Sequence, residues 1–283
     1  MHFIRKFLIA YLIVIAVFAF IQRRMMYPAT QAPQLPATAF PQLEQTFHSA
    51  SDVEITTSDK VIIRGWHLQA AAMPSDRLIL LFHGNGGNRA HRGNWYTIAH
   101  SLKADVLAMD YHGYGDSGGS PSEAALIMDA EATWQHAMKV LKYQPSQIVI
   151  VGESLGGGVS VQLAATMSQH GTPPAGLVLV STFSSMLDVA AAHFRWLPVR
   201  WLLLDRYRSD KVIAGVTCPI LQFHGDQDTL VPLPFARRLH ELTPAKSSGG
   251  IAKRFLLLRG AGHNDMLDRY GRFISDETAT LIR

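Results

Sequence analysis

The chain has 283 residues, of which 48% are hydrophobic and 17% are charged. This composition excludes a disordered protein and a small disulfide-stapled module. It predicts one large globular domain with an appendage. The single cysteine, Cys218, cannot form an internal disulfide and is expected to be buried as a small apolar residue. The formal net charge of +4 derives from Arg5, Lys6, Arg23 and Arg24, which flank an apolar start. The rest of the chain is close to neutral, so no nucleic-acid partner is expected.

The first predicted element is an apolar helix at the N terminus. Phe7–Ile21 is an unbroken run of 15 apolar residues. As a helix it would be about 22 Å long, whereas a hydrocarbon core is about 30 Å thick, although Phe3 and Ile4 can extend it. Residues 1–24 are predicted to form an uncleaved membrane anchor, with a cleaved signal peptide or a soluble core helix as alternatives. A slight excess of positive charge before the run favours a cytoplasmic N terminus and a main domain across the membrane.

A proline-rich stretch separates this start from a regular alternation of strands and helices. Residues 27–42 contain four prolines, which fix extended backbone, so residues 25–45 are predicted to form a linker or a wrapping arm. Residues 46–283 show a βαβ alternation, which implies a mostly parallel sheet covered by helices. Strands are expected near residues 52–57, 61–68, 77–84, 105–111, 147–153, 176–182, 219–225 and 254–260.

Two G-x-S-x-G patterns, centred on Ser117 and Ser154, offer candidate nucleophiles. The string GDSGG around Ser117 also matches the serine of trypsin-like proteases, but that chemistry needs an all-β scaffold rather than this alternation. A long helix is predicted to begin with Ser120 as its N-cap, followed by Pro121 and by Glu123 in a capping box. Ser117 then lies in the preceding loop and is expected to be a turn residue.

Ser154 has the sequence context expected of a nucleophile. The apolar strand IVIVG leads into it, a helix leads away, and Gly152 and Gly156 relieve crowding at such a sharp turn. The turn raises the serine hydroxyl above the sheet and directs the backbone N–H of Leu155, at the start of the helix, towards a developing oxyanion. A merely structural Gly-Ser turn is the alternative interpretation.

A serine nucleophile needs a histidine base, and the histidine needs a carboxylate. His263 is the predicted base because it follows the last predicted strand in a glycine-rich loop, at the same sheet edge as the nucleophile. The segment HGDQD after the penultimate strand offers Asp226 and Asp228, which the strand alternation alone does not separate. Asp228 is favoured because it is farther out and can reach across the loop, whereas Asp226 can brace its own turn. His83 and His224 precede glycines at strand ends and are expected to stabilise turns.

A second oxyanion donor is expected from the glycine-rich loop HGNGGN after the third strand. The backbone N–H of Asn85 is the candidate, since Gly86 and Gly87 would let a carbonyl group approach the backbone closely. Phosphate binding is the rival interpretation of this loop. It is disfavoured because no Lys followed by Ser or Thr occurs at the P-loop spacing.

The insertion after the sixth strand, at about residues 184–216, is rich in large apolar side chains. It is too short for a separate cap domain and is predicted to form a small helical lid. Its apolar face is expected to border an acyl pocket through Phe194, Trp196, Leu197 and Trp201. Simple packing of these side chains on the sheet is the alternative.

Five segments follow one another along the chain: LLFHGNGGN, MDYHGYGDSGGSPSE, VGESLGGG, HGDQDTLVP and GAGHND. With these segments in this order, the chain resembles the α/β-hydrolase-fold serine hydrolases over roughly residues 45–283. The likeness is strongest to a small membrane-anchored group of fungal bud-emergence hydrolases, related bacterial hydrolases and animal depalmitoylating hydrolases. In that group an apolar start precedes a QRRMMYP-like stretch, as at Gln22–Pro28 here, but this chain lacks the cysteine-rich N terminus of the animal branch. The resemblance implies an α/β-hydrolase fold with a mostly parallel sheet of about eight strands flanked by helices, and a short helical lid.

The same resemblance implies a function. It predicts a membrane-anchored serine hydrolase that cleaves a carboxylic ester or thioester through an acyl-enzyme on Ser154, with Asp228 and His263 completing the triad. The expected substrate is a small-molecule or lipid-linked ester or thioester. An amide hydrolase of the serine aminopeptidase type and a catalytically silent scaffold are the alternatives. No cofactor and no metal is expected, and the expected partners are the substrate and the membrane. The motifs specify neither the acyl chain nor the oligomeric state.

Overall fold

The computed structural model describes residues 2–29 and 31–281, and their strands form one sheet of eight in the order β1-β2-β4-β3-β5-β6-β7-β8. The pairs β1–β2 and β2–β4 are antiparallel and all the others are parallel. This confirms the predicted mostly parallel sheet. The strands are β1 Ser49–Thr56, β2 Ile62–Gln69, β3 Leu78–Phe82, β4 Asp105–Met109, β5 Ile148–Glu153, β6 Gly176–Val180, β7 Ile220–Gly225 and β8 Arg254–Leu258.

Helices cover both faces of the sheet, which explains why the inner strands are continuous apolar runs. One face is covered mainly by α4, α5 and α9, and the other by α3 and α10. The insertion after β6 contributes three short helices. The helices are α1 His2–Met26, α2 Pro41–Thr46, α3 Gly93–Ser101, α4 Glu123–Lys139, α5 Leu155–Gln169, α6 Met186–His193, α7 Val199–Leu202, α8 Ser209–Val212, α9 Leu233–Leu242 and α10 Met266–Leu281.

The start of α4 differs from the expected capping box at Ser120. Ser122 is the N-cap, and its hydroxyl accepts a hydrogen bond from the backbone N–H of Ala125 at 3.1 Å. The Glu123 carboxylate accepts the backbone N–H groups of Arg206 and Tyr207 at 2.6 and 3.0 Å instead. Glu123 therefore connects the start of α4 to the insertion, because both backbone N–H groups that donate to its carboxylate belong to the insertion.

The proline-rich arm packs onto the domain around the buried guanidinium of Arg89. The Leu35 carbonyl accepts hydrogen bonds from Arg89 Nη2 at 2.8 Å and from Trp66 Nε1 at 2.9 Å. Arg89 Nη1 also contacts the carboxylates of Asp110 and Asp116 at 2.5 and 2.7 Å. A buried cation is tolerated when its charge is paired, as it is here with the two carboxylates, so this network fixes the arm and the loop after β4 together.

The N-terminal helix α1 is longer than the apolar run suggested. The candidate membrane span of the helix is Phe3–Met26, within which an 18-residue window has a mean hydropathy of 2.4 and is almost entirely exposed. At 1.5 Å per residue its 24 residues span about 36 Å, which is enough for a hydrocarbon core of about 30 Å. By length and composition this helix could cross a membrane.

The C-terminal half of α1 packs against the insertion. Phe18 is buried in a small apolar cluster with Leu187, Leu197, Val199 and Leu203. The next turn of the helix adds polar contacts to the same insertion. Gln22 Nε2 donates to the Leu202 carbonyl at 3.2 Å, and Gln22 Oε1 accepts the Leu204 backbone N–H at 2.9 Å. Arg23 Nε donates to the Asp205 carboxylate at 2.9 Å. The helix is therefore packed on the domain and is not a separate appendage.

Candidate active site

Ser154 lies at the sharp turn between β5 and α5. Its backbone has φ 52° and ψ −113°, a left-handed region that residues with side chains seldom adopt. Gly156 is required nearby, because a Cβ at that position would collide with the carbonyl oxygens of Phe82 and His83. A Cβ on Gly152 would likewise meet the first turn of α5. Gly156 thus lets the strained turn pack against the end of β3, and Gly152 lets it pack against α5.

Three side chains from three separate loops form one hydrogen-bonded chain. The hydroxyl of Ser154 lies 2.9 Å from His263 Nε2, and His263 Nδ1 lies 2.7 Å from Asp228 Oδ2. The other carboxylate oxygen of Asp228 accepts the backbone N–H groups of Leu230 and Val231 at 3.0 and 2.8 Å. These contacts orient the carboxylate, so His263 donates from Nδ1 and presents its Nε2 lone pair to the serine hydroxyl.

The two other candidates near the acid loop have different contacts. Asp226 Oδ1 accepts the backbone N–H of Gly260 at 2.6 Å and so braces the turn after β8. His224 Nε2 donates to the Val231 carbonyl at 2.9 Å and lies 3.5 Å from Asp228. Burial lowers the pKa of His224, an effect that the Val231 carbonyl and the Asp228 charge oppose only in part. A neutral His224 leaves the carboxylate charge available to His263.

Ser117 and His83, the remaining motif residues, make local contacts. The Ser117 hydroxyl donates to the Asp110 carbonyl and accepts the backbone N–H of Arg64, both at 2.8 Å. His83 Nδ1 donates to the Gly84 carbonyl at 2.7 Å. Both residues therefore hold the backbone of loops at the ends of β3 and β4.

The loop after β3 runs beside the serine. A Cβ built on Gly84 would lie 3.5 Å from Ser154 Cβ, and Asn85 and Leu155 line the same cavity as the serine. The N–H of Leu155 is the first in α5, where backbone donors have no acceptor within the helix. The backbone N–H groups of Asn85 and Leu155 are therefore the candidate oxyanion donors, as the sequence predicts.

Asn85 is held in place from two sides. Its backbone carbonyl accepts a hydrogen bond from the Tyr114 hydroxyl at 3.1 Å, and its side-chain Nδ2 donates to the Met26 carbonyl at 3.1 Å. Met26 is the last residue of α1. The loop that carries the candidate oxyanion donor is thus fixed directly to the end of the N-terminal helix.

The serine opens into a mostly apolar cavity of about 460 Å³, within the range of small-molecule sites. Of the four lid residues predicted to border it, Phe194 does so. The other three require correction, because Leu197 is buried against α1, while Trp196 and Trp201 point outwards with 59% and 87% of their surface exposed. The remaining lining residues from the lid and loops include Phe183, Met186, Val189, Ala190, His193, Leu203, Leu230 and Val231.

The sequence analysis expected no cavity residue on α1, yet four residues of that helix line the cavity. They are Phe18, Gln22, Met25 and Met26. The available signal was their spacing, since Phe18, Gln22 and Met26 recur every four residues and therefore share one face of a helix. Interpreting the apolar start only as a membrane anchor hid its contribution to the wall of the cavity.

Comparisons with known proteins agree with this architecture. The family described as alpha/beta hydrolase fold matches residues 77–215. The chain is 36% identical to an uncharacterized protein of Mycobacterium tuberculosis over 92% of this chain and 89% of that protein. It is also similar to the lysophosphatidylserine lipase ABHD12 of Danio rerio, with 35% identity over 64% of this chain. That alignment spans about half of the lipase, 51% of its length.

Solved structures share the fold at low sequence identity. An esterase of Pyrococcus furiosus superposes with a TM-score of 0.68 and 19% identity, covering 90% of this chain and 97% of the esterase. An alpha-beta hydrolase of Vibrio vulnificus gives a TM-score of 0.69 and 20% identity, covering 89% and 96%. The eight-stranded sheet and its flanking helices are therefore those of a widespread fold.

Replacing the serine at the turn tests which G-x-S-x-G pattern carries the nucleophile. Ser154→Ala should lower kcat for p-nitrophenyl butyrate by about five to six orders of magnitude and abolish fluorophosphonate labelling, because the attacking oxygen is gone. Ser117→Ala is the matched control. It should keep a kcat close to wild type while losing about 1–3 kcal/mol of stability in a thermal melt, because the buried N–H of Arg64 loses its acceptor. Loss of labelling in the Ser117 variant alone would contradict the assignment.

A second pair of variants separates the two aspartates. Asp228→Asn should lower kcat by about ten-thousandfold, because an amide no longer favours the tautomer that leaves Nε2 free to accept a proton. Asp226→Asn retains an oxygen that accepts the Gly260 N–H and should stay close to wild-type activity. Steady-state kinetics with circular dichroism on both variants provides the measurement. The reverse pattern of activities would assign the acid to Asp226.

Proposed function

This chain belongs to the α/β-hydrolase family and is a serine hydrolase, and on that premise we propose that it is anchored to a membrane and cleaves an acyl ester or thioester of a lipid-like substrate. The observation that carries the proposal is the hydrogen-bonded chain from Ser154 through His263 to Asp228, which opens into an apolar cavity. The polar groups at the bottom of the cavity would perform the chemistry, and its apolar walls would bind the acyl chain.

The first half of the reaction forms an acyl-enzyme. Ser154 Oγ attacks the carbonyl carbon while His263 Nε2 takes the hydroxyl proton, and the carboxylate of Asp228 stabilises the imidazolium that results. The carbonyl oxygen becomes negative and accepts hydrogen bonds from the backbone N–H groups of Asn85 and Leu155. Collapse of this intermediate breaks the bond to the leaving group, which receives the proton from His263.

The second half releases the acid. A water molecule takes the place of the leaving group, gives a proton to His263 Nε2, and attacks the acyl carbon on Ser154. The same two N–H groups stabilise the second oxyanion. Breaking the acyl–serine bond returns the proton to Ser154 Oγ and leaves a carboxylic acid product, so the enzyme is restored without a cofactor.

The lining of the cavity supports an acyl substrate. Among the described residues that line it, none is acidic, whereas an aminoacyl substrate would bring an ammonium group that needs a carboxylate partner. The hydrogen-bonded triad favours an active hydrolase over a silent scaffold. The similarity to proteins named lysophosphatidylserine lipases supports a lipid ester as the substrate class. A thioester would react by the same steps.

The role of α1 in the cavity supports retention of the N-terminal segment. Signal cleavage near Phe20 would remove Phe18 and with it part of the cavity wall. The amino terminus with Arg5 and Lys6 slightly outweighs Arg23 and Arg24, and Arg23 is paired with Asp205. This balance favours a cytoplasmic N terminus, with the catalytic domain on the other side of the membrane.

Filling the cavity should change the preference for acyl length. Ala190→Trp places a large side chain in the cavity, so kcat/KM for p-nitrophenyl decanoate should fall at least about tenfold relative to p-nitrophenyl acetate. Ala191→Trp adds the same group on the same helix outside the cavity lining and should leave that ratio unchanged. Equal ratios in the two variants would show that this cavity does not bind the acyl chain.

Retention of the anchor can be measured on the mature protein. After expression in a bacterial host, the protein should remain in the membrane pellet on carbonate extraction, and Edman sequencing should give the N-terminal residues of the uncleaved chain. A periplasmic protein with a cleavable signal peptide, processed in the same cells, provides the control. A mature terminus near Phe20, or release into the supernatant, would contradict the anchor.

A further inference from the structure

The lid exposes a group of large apolar side chains. Trp196, Trp201 and Leu204, here called the lid face, have 59%, 87% and 60% of their surface exposed. They alternate along the chain with Leu197 and Leu203, which are buried against α1. Large exposed apolar groups on a monomer commonly mark an interaction surface, and two neighbouring tryptophans are typical of a membrane interface.

The contacts between the lid and α1 determine where the lid face lies along the helix. The Tyr11 hydroxyl donates to the Trp196 carbonyl at 2.7 Å, and Gln22 binds the backbone at Leu202 and Leu204. Tyr11 to Gln22 covers about 16 Å of helix, roughly half of a hydrocarbon core about 30 Å thick. The lid thus lies beside residues of the same apolar stretch that could cross a membrane.

From this juxtaposition we propose that the lid face inserts into the lipid leaflet beside α1, so that the cavity takes its acyl substrate directly from the bilayer. The inference rests on the proposed function for its substrate and on α1 for its anchor. It goes further by assigning the bilayer as the partner of the lid face and the membrane lipid phase as the source of substrate.

The cavity itself supports entry from the lipid side. Its walls include Phe18 and Met25 from α1 and Phe194 from the lid, and the rings of Phe18 and Phe194 are 5.5 Å apart. Leu230, on the acid loop, lines the cavity with half of its surface exposed. An acyl chain leaving the leaflet between α1 and the lid would therefore meet apolar side chains before it reaches Ser154.

The charges near the lid face are compatible with this placement. Arg195 and Arg200 are the basic residues next to the two tryptophans, and both are exposed. Long cationic side chains can extend to lipid phosphates while their stems stay in apolar surroundings. Arg200 is also paired with Asp188 at 2.9 Å, which reduces the charge that must be hydrated. Anionic headgroups would be attracted chiefly to Arg195 at the rim of the inserted surface.

Tryptophan fluorescence offers a direct test. The chain has five tryptophans, and Trp66, Trp95 and Trp134 are each no more than 2% exposed, while α1 contains none. Quenching of the full-length protein by brominated acyl chains in phosphatidylcholine–phosphatidylglycerol vesicles would therefore report on Trp196 and Trp201. We expect strong quenching in the wild type and its loss in the Trp196→Phe/Trp201→Phe variant. Equal, weak quenching in both proteins would overturn the insertion.

Kinetics would connect insertion to substrate delivery. The Trp196→Gln/Trp201→Gln variant should hydrolyse a long-chain fluorogenic ester embedded in the same vesicles at least about tenfold more slowly than wild type, because its lid no longer enters the leaflet. Hydrolysis of water-soluble p-nitrophenyl acetate should be unchanged. Met73→Gln/Val140→Gln is the matched control, since both residues are exposed and apolar but lie outside the lid and α1. This control should leave both rates unchanged.

The outcomes separate the inference from the proposed function. If wild type hydrolyses neither substrate, the proposed function fails, and the quenching experiment still decides whether the lid inserts. If p-nitrophenyl acetate is hydrolysed but the vesicle rate is the same in the tryptophan and control variants, delivery from the leaflet is refuted while the hydrolase assignment stands. If the lid face instead mediates self-association, the wild type will be an oligomer in detergent and the Trp196→Gln/Trp201→Gln variant will be a monomer. That result would refute membrane insertion.

Discussion

The buried carboxylate of Asp228 is the group on which the geometry of the site depends. It receives two backbone N–H groups from its own loop and the Nδ1–H of His263, so one anion fixes both the acid loop and the histidine. The histidine in turn reaches Ser154, whose strained backbone is held by close glycine packing against β3. The ends of β5, β7 and β8 therefore meet around a single negative charge.

A second set of contacts connects this centre to the N-terminal helix. The Met26 carbonyl accepts from the side chain of Asn85, and Gln22 binds the lid backbone on the other side. Glu123 adds a third connection, because its carboxylate binds the backbone where the insertion turns back to the domain. The helix, the lid and the loop after β3 that carries Asn85 are thus joined by hydrogen bonds as well as by apolar packing.

The fold and the candidate triad could be predicted from the sequence because they are encoded in short segments. Ser154 and His263 each follow a strand in a glycine-rich turn, so local pattern and the known order of strand ends bring them together. Trp196 and Trp201 were expected in the cavity, but their orientation depends on how the lid packs against α1, some 180 residues away in the chain. Such long-range packing leaves no periodic signal. The N-cap at Ser122 was displaced for a similar reason, since the partners of Glu123 lie in the insertion.

Because α1 supplies four of the residues that line the cavity, this protein does not divide into interchangeable modules at the proline-rich arm. A foreign helix grafted before residue 27 would bring its own side chains to positions 18, 22, 25 and 26, and with them a differently shaped cavity. Among homologues, an exchange of N-terminal segments would therefore change the shape of the cavity beside Ser154 together with the helix that could cross a membrane.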